Sequence, residues 1–256
     1  MSLKSKVLII IILLISAGIT ANQVYDRYFS DDEPRFQWPD KVEIPCQPDS
    51  EDYECENYIK LNSTPVKTVK HPMNEEIWIA ELDGKISSWD GQVLKQIGNI
   101  SQVISRCHNE QGLLGFEFTH DFDTSNEILL SYTGDIDCDG SADLSNVMVS
   151  SIEVNEGNLA MDTLVELRVL GKQNRNHNGG NLHSLGNGTY LWSVGDGGGS
   201  SDPYGNGQNI HTPLGTIQYF SYNNKTIQPV LDNYQNASDY VLHHGLRNPW
   251  KFDVDN

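Results

Sequence analysis

Short apolar runs that break off at Gly/Asp turns recur along the chain. Ile77-Trp78-Ile79-Ala80-Glu81-Leu82-Asp83-Gly84, Ile128-Leu129-Leu130-Ser131-Tyr132-Thr133-Gly134-Asp135 and Tyr190-Leu191-Trp192-Ser193-Val194-Gly195-Asp196-Gly197 share this layout, and their starts lie 51 (128 − 77) and 62 (190 − 128) positions apart. Runs this short, rich in β-branched and aromatic residues and closed by turn formers, predict strands. Asp83-Gly84 between two such runs predicts a tight hairpin joining 77–82 to 85–89. Amphipathic helical periodicity is scarce. Repeating β units of about 50 residues suit the blades of a β-propeller, each a four-stranded sheet set around a central channel. A β-sandwich is the structural alternative, but it more often shows turn signals every 8 to 12 residues.

The N-terminus has a different pattern. Lys4 and Lys6 precede an unbroken apolar run over residues 7–15 that continues through Ser16-Ala17-Gly18-Ile19. A membrane span needs about 20 apolar residues, so the run fits a signal-peptide core better, with cleavage near Ala21. Lacking an A-x-A triplet, it can also be read as an uncleaved membrane anchor. Residues 1–21 are therefore expected to export the chain, making the protein extracellular or periplasmic, free or anchored. Residues 22–60 are polar and proline-dotted and read as a lead-in. The β pattern occupies 61–256.

Four cysteines, Cys46, Cys55, Cys107 and Cys138, form an even set, as expected where disulfides persist. Three pairings are allowed; Cys46 with Cys55 and Cys107 with Cys138 close the shortest loops. No C-x-x-C spacing points to zinc or a thioredoxin-like site. Glycosylation acceptor patterns begin at Asn62, Asn99, Asn187, Asn224 and Asn236. A formal net charge of −18, from 17 basic and 35 acidic residues, argues against nucleic acid and anionic membrane surfaces as partners.

Candidate chemistry concentrates in two glycine-rich loops. His177 lies in Arg175-Asn176-His177-Asn178-Gly179-Gly180, and nineteen positions later Asp196 lies in Gly195-Asp196-Gly197-Gly198-Gly199. A histidine and a carboxylate on loops where the backbone can be approached closely are the parts of an oriented general base. The remaining histidines lack the spacing of a metal site, and Trp78, Trp89, Trp192 and Trp250 read as packing between blades. Asp135-Ile136-Asp137-Cys138-Asp139-Gly140-Ser141-Ala142-Asp143 places carboxylates at positions 1, 3, 5 and 9 and glycine at position 6 of a calcium loop, although Asn146 stands where the bidentate glutamate belongs. Asp135, Asp137, Asp139 and Asp143 are thus candidate calcium ligands, with an acidic solvated turn as the alternative.

Six motifs in order carry a resemblance. They are Glu110-Gln111-Gly112-Leu113-Leu114-Gly115-Phe116-Glu117-Phe118 with His120-Asp121-Phe122, His177-Asn178-Gly179-Gly180-Asn181-Leu182, Gly195-Asp196-Gly197-Gly198, Asp202-Pro203-Tyr204-Gly205-Asn206-Gly207-Gln208-Asn209, Leu214-Gly215-Thr216-Ile217 and Gly245-Leu246-Arg247-Asn248-Pro249-Trp250-Lys251-Phe252. Together they resemble the glucose/sorbosone dehydrogenase family over roughly residues 67–256. The resemblance implies an all-β, six-bladed propeller of which this sequence holds about the first four blades. It also implies pyrroloquinoline quinone (PQQ) and calcium as cofactors, an aldose substrate and an external electron acceptor. His177 matches the family's catalytic base at the sugar C1 hydroxyl, Asp196 the carboxylate that holds it, and Arg247 and Asn248 residues that contact the quinone.

Two positions depart from the family pattern. Glu110 stands where glutamine lies near the sugar in soluble glucose dehydrogenases, and Asn176 replaces an aspartate before the base. Both are candidate substrate contacts, but the family's sugar preference does not carry over. The later cofactor-binding basic residues and the principal calcium site belong to C-terminal blades absent from this sequence, so a fragment of a longer protein is expected. The propeller of hedgehog-interacting protein, similar in sequence, supplies the competing function: a noncatalytic, calcium-dependent module that binds a protein or glycan. A hydrolase built on the same His and Asp has no G-x-S-x-G or other nucleophile motif to support it.

Overall fold

The computed structural model describes residues 58–134, 145–230 and 236–255. Residues 1–57, with the expected leader and Cys46 and Cys55, lie outside the described residues, as does 135–144 with Cys138 and the four candidate calcium ligands. The described residues form three antiparallel sheets, each built on a four-stranded meander in chain order, with a fifth strand added to the third. The first contains β1 (Pro65–Lys70), β2 (Ile77–Glu81), β3 (Lys85–Trp89) and β4 (Leu94–Asn99). The second contains β5 (Leu113–Phe118), β6 (Glu127–Thr133), β7 (Ser145–Asn155) and β8 (Asn158–Lys172). The third contains β9 (Gly179–Ser184), β10 (Thr189–Val194), β11 (Thr216–Asn223) and β12 (Thr226–Pro229). A single turn of helix, α1 (Phe122–Ser125), is the one α-helix among the described residues and ends at left-handed Asn126.

The three recurring apolar runs become β2, β6 and β10, the second strand of each sheet. The Asp83-Gly84 hairpin also forms: β2 pairs with β3 from Ile77↔Trp89 to Ala80↔Ile86, with Gly84 at φ 98°. First strands meet across the sheets, β1 against β5 and β5 against β9, while β4 touches β8 and β8 touches β12 at the opposite edge. This radial order is that of propeller blades, not of the face-to-face sheets of a sandwich. Three blades are complete among the described residues, against about four expected from sequence. The difference lies in β13 (Val241–His244), which returns to pair with β11 through Thr216↔His244, beside the end that β12 leaves open, instead of starting a new sheet.

The middle sheet is covered on both faces, which explains why β5 and β6 are buried at every position. Packing is close enough there to require glycine: a Cβ on Gly115 would lie 2.7 Å from the Gly180 carbonyl oxygen across the β5/β9 junction. Trp192 is fully buried and donates its indole N–H to Ser131 Oγ at 2.9 Å, joining the third sheet to the second. A second link is ionic. Tyr222 donates to Glu127 Oε2 at 2.6 Å, and Lys225 approaches Glu127 at 3.6 Å and Glu153 at 2.8 Å. Burial and the facing Glu127 carboxylate push the Tyr222 hydroxyl pKa upward, so it remains a donor throughout the physiological range. Among the described residues no helix is long and apolar enough to cross a membrane.

Candidate active site

His177 enters the third sheet and Asp196 leaves it. The residues before β9 form a turn that ends with His177 at φ 52°, a left-handed conformation that costs a residue with a Cβ about 1 kcal/mol or more and must be held by its surroundings. Much of that support comes from backbone groups. Lys172, buried at the end of β8, donates its ammonium to the carbonyls of Asn174 and Asn176, the latter at 2.9 Å. Asn178 Nδ2 donates to Arg175 O and Glu110 O, each at 3.0 Å. The His177 backbone N–H donates to Glu110 Oε2 at 2.7 Å.

The two side chains predicted to act together are in contact. His177 Nδ1 lies 2.7 Å from Asp196 Oδ1, with both residues 2% exposed. The same oxygen accepts the Gly198 N–H at 2.9 Å. A carboxylate is an acceptor, so this contact favours the imidazole tautomer with its proton on Nδ1 and the lone pair on Nε2. Asp196 is itself fixed through its backbone: its N–H donates to Arg247 O at 2.8 Å and its carbonyl accepts Asn206 Nδ2 at 2.8 Å. A Cβ on Gly195 would fall 1.9 Å from the His177 carbonyl oxygen, so glycine alone lets the two loops close.

The other sequence candidates take different places. Glu110, expected at a substrate, directs Oε2 to the His177 N–H and to Asn248 Nδ2 at 3.0 Å, which makes it a brace for the base. Asn248 Oδ1 accepts the Gly179 N–H at 3.1 Å, so its amide is spent on the same brace. Asn176 Oδ1 accepts the Gly199 N–H at 3.2 Å and ties the histidine loop to the aspartate loop. Arg247 is exposed, and its backbone carbonyl helps to hold the pair through the Asp196 N–H. Arg175 keeps Nε and Nη2 buried without a hydrogen-bond partner, and so does Asn178 with Oδ1. Lys172, Asn178 and Asn206 were not foreseen as site residues. Asn178 and Asn206 had a signal, inside the motifs His177-Asn178-Gly179-Gly180 and Asp202-Pro203-Tyr204-Gly205-Asn206, and Lys172 had none. Among the described residues no three His, Cys, Asp or Glu side chains converge as a metal site would require.

A family model for Glucose / Sorbosone dehydrogenase matches residues 63–256. The chain belongs to this family. The soluble aldose sugar dehydrogenase from Escherichia coli, solved in its apo-form, superposes with a TM-score of 0.56 at 19% identity, covering 73% of this chain and 52% of that one. The PQQ-bound aldose sugar dehydrogenase from Streptomyces coelicolor gives a TM-score of 0.57 at 17% identity, covering 75% and 54%. The family member described here therefore shares their propeller fold and spans about half the length of those structures. No curated protein matches it in sequence.

Proposed function

We propose that this glucose/sorbosone dehydrogenase family member supplies the proton-handling half of a PQQ-dependent sugar dehydrogenase that oxidises an aldose at C1 to its lactone. The observation that carries the reading is the buried His177–Asp196 contact, which leaves Nε2 as the basic nitrogen. In this reading His177 Nε2 takes the C1 hydroxyl proton. Asp196 stabilises the imidazolium that forms, and its second hydrogen bond from Gly198 keeps the carboxylate from turning away. Glu110, Asn248 and Lys172 hold the loop and so fix where Nε2 points.

The residues present fit a polycarboxylate quinone on the chemistry of their donors. Arg247 is an exposed residue whose carbonyl accepts the Asp196 N–H, and Arg175 has two unspent guanidinium nitrogens in the histidine loop. Arginine pairs with planar carboxylates through two parallel bonds. When bound, PQQ would supply the hydride-accepting chemistry that no side chain has. Calcium would fall to Asp135, Asp137, Asp139 and Asp143, outside the described residues. The apolar N-terminal run, the cysteines and the acidic surface support an exported protein, with electrons passing to an external acceptor.

The test combines binding with turnover in the full-length protein. PQQ and calcium are added, quinone binding is followed by fluorescence quenching, and dye reduction is followed across an aldose panel. Sugar-dependent reduction that His177→Ala abolishes while retaining quinone binding supports the proposal. A folded protein that neither binds PQQ nor reduces dye refutes it and leaves a recognition propeller.

A further inference from the structure

The inner strands of the first two sheets and β9 line an open cavity of about 450 Å³, bordered by none of the residues that hold His177 and Asp196. Its charged and titratable lining comprises Lys67 and Lys70 of β1, Glu117 of β5, His183 of β9, and Lys251 and Asp253 of the last segment. Most of these groups are paired. Lys67 lies 3.0 Å from Glu117 and donates to Leu182 O at 2.8 Å, while His183 Nδ1 stands 3.4 Å from Asp253. Lys70, at the rim, pairs with Glu75 at 2.7 Å. Lys251 differs: its Nζ donates to Leu114 O at 3.1 Å and has no carboxylate within ion-pair reach among the described residues. Its amine is thus tethered by a neutral acceptor in a cavity large enough for a small molecule, with a carboxyl group and an imidazole in the same lining.

We propose that Lys251 is a carbonyl-capture site, at which a small aldehyde or open-chain aldose enters this cavity and condenses with Nζ. The neutral amine attacks the carbonyl carbon, the C–N bond forms, and the carbonyl oxygen takes up a proton to give a carbinolamine. Loss of that hydroxyl as water, with departure of the remaining N–H proton, leaves an imine. Amine and aldehyde become imine and water, with no oxidant or reductant required. Glu117 and His183 are the groups in the lining able to give and take those protons.

The electrostatics of the cavity favour the reactive form of the amine. Burial of the ammonium among the cavity's atoms, reinforced by the nearby Lys67 charge, lowers the Lys251 pKa to about 8, although the residue as a whole is exposed. Burial raises the Glu117 pKa against the pull of Lys67, and burial and Lys67 lower that of His183. An ordinary surface lysine near 10.4 carries on the order of a hundredfold less free amine at pH 7.4. Lysines perturbed in this way are those that form Schiff bases.

The experiment uses the intact wild-type protein and needs no redox activity, so it stands or falls separately from the dehydrogenase reading. Glycolaldehyde with sodium cyanoborohydride traps imines as stable secondary amines, and peptide mass spectrometry gives an initial rate for each lysine. At pH 7.4 Lys251 should react at least about tenfold faster than exposed Lys95, its free-amine advantage being partly offset by lower basicity. Its rate should rise with pH and level off above about 8, while that of Lys95 keeps climbing toward pH 10. Equal rates at the two lysines, or parallel pH profiles, overturn the proposal.

Discussion

Gly195→Ala is the most demanding single change the site offers. The added Cβ would sit 1.9 Å from the His177 carbonyl oxygen, 2.5 Å from the carbonyl carbon and 3.2 Å from the Arg247 carbonyl oxygen. Real contacts of this kind stay beyond 3.0 Å, so the two loops must separate by at least 1.1 Å (3.0 − 1.9). No rotamer change relieves a clash between backbone atoms. Overpacking costs about 1 to 3 kcal/mol, and the upper end applies here. For a domain of this size, about 3 kcal/mol corresponds to a melting point lower by roughly 6 to 12 °C. The same displacement exceeds the tolerance of the 2.7 Å contact between His177 and Asp196. The control is Gly171→Ala: its Cβ meets only Asn146 Oδ1, at an ordinary 3.6 Å, and its backbone lies outside the left-handed region. That variant should be neutral or more stable by about 0.4 to 1 kcal/mol, because alanine restricts the unfolded chain. Thermal unfolding by circular dichroism reads stability, and the imidazole ¹⁵N resonances of His177 read the contact. If Gly195→Ala melts with Gly171→Ala and leaves those resonances unmoved, the steric account of how the loops close is wrong.

Three further changes separate positioning from folding. Asp196→Asn replaces an acceptor with an amide that can present its NH₂ group to Nδ1; sugar oxidation should fall by about 10² to 10⁴-fold while the melting point changes little, as steady-state kinetics and calorimetry would show. Glu110→Gln keeps an acceptor for the His177 N–H but loses the charge, so kcat should fall more than KM rises; an unchanged kcat with a raised KM would instead place Glu110 on the sugar. Tyr222→Phe removes the bond to Glu127 between the second and third sheets, and denaturant titration should show a loss of about 1.5 to 3 kcal/mol, the range for a hydrogen bond to a charged group.

The parts of this molecule that could be read from its sequence are those whose cause is local. Strands β2, β6 and β10 announce themselves because nearly every position is buried and the turn formers follow at once. His177 and Asp196 could be paired because both lie in glycine-rich loops flanking strands of one sheet. The long β7–β8 hairpin gave no such signal: most of β8 is only partly buried, so its apolar positions are interrupted by Asp162, Glu166 and Arg168. Lys172 was missed for another reason. Its partners are backbone carbonyls, which every residue has, so no side-chain pattern marks the positions it holds. Glu110 is legible in the sequence as part of the site, but its contact with the His177 N–H spans 67 positions and shows only in three dimensions.

The base and its carboxylate partner are both furnished by loops of the third sheet, at the entry to β9 and the exit of β10. Their contact closes over nineteen positions, by a hairpin that pairs Trp192 with Leu182 and Val194 with Gly179. The proposed proton abstraction would thus be encoded by one repeat of a repeating architecture, with one guanidinium offered to the cofactor, Arg175, in the same loop and the other, Arg247, in the segment that follows the sheet. The hairpin is therefore no portable module: grafted into another blade it would leave behind Lys172, Glu110 and Arg247, which brace its two loops from three other segments.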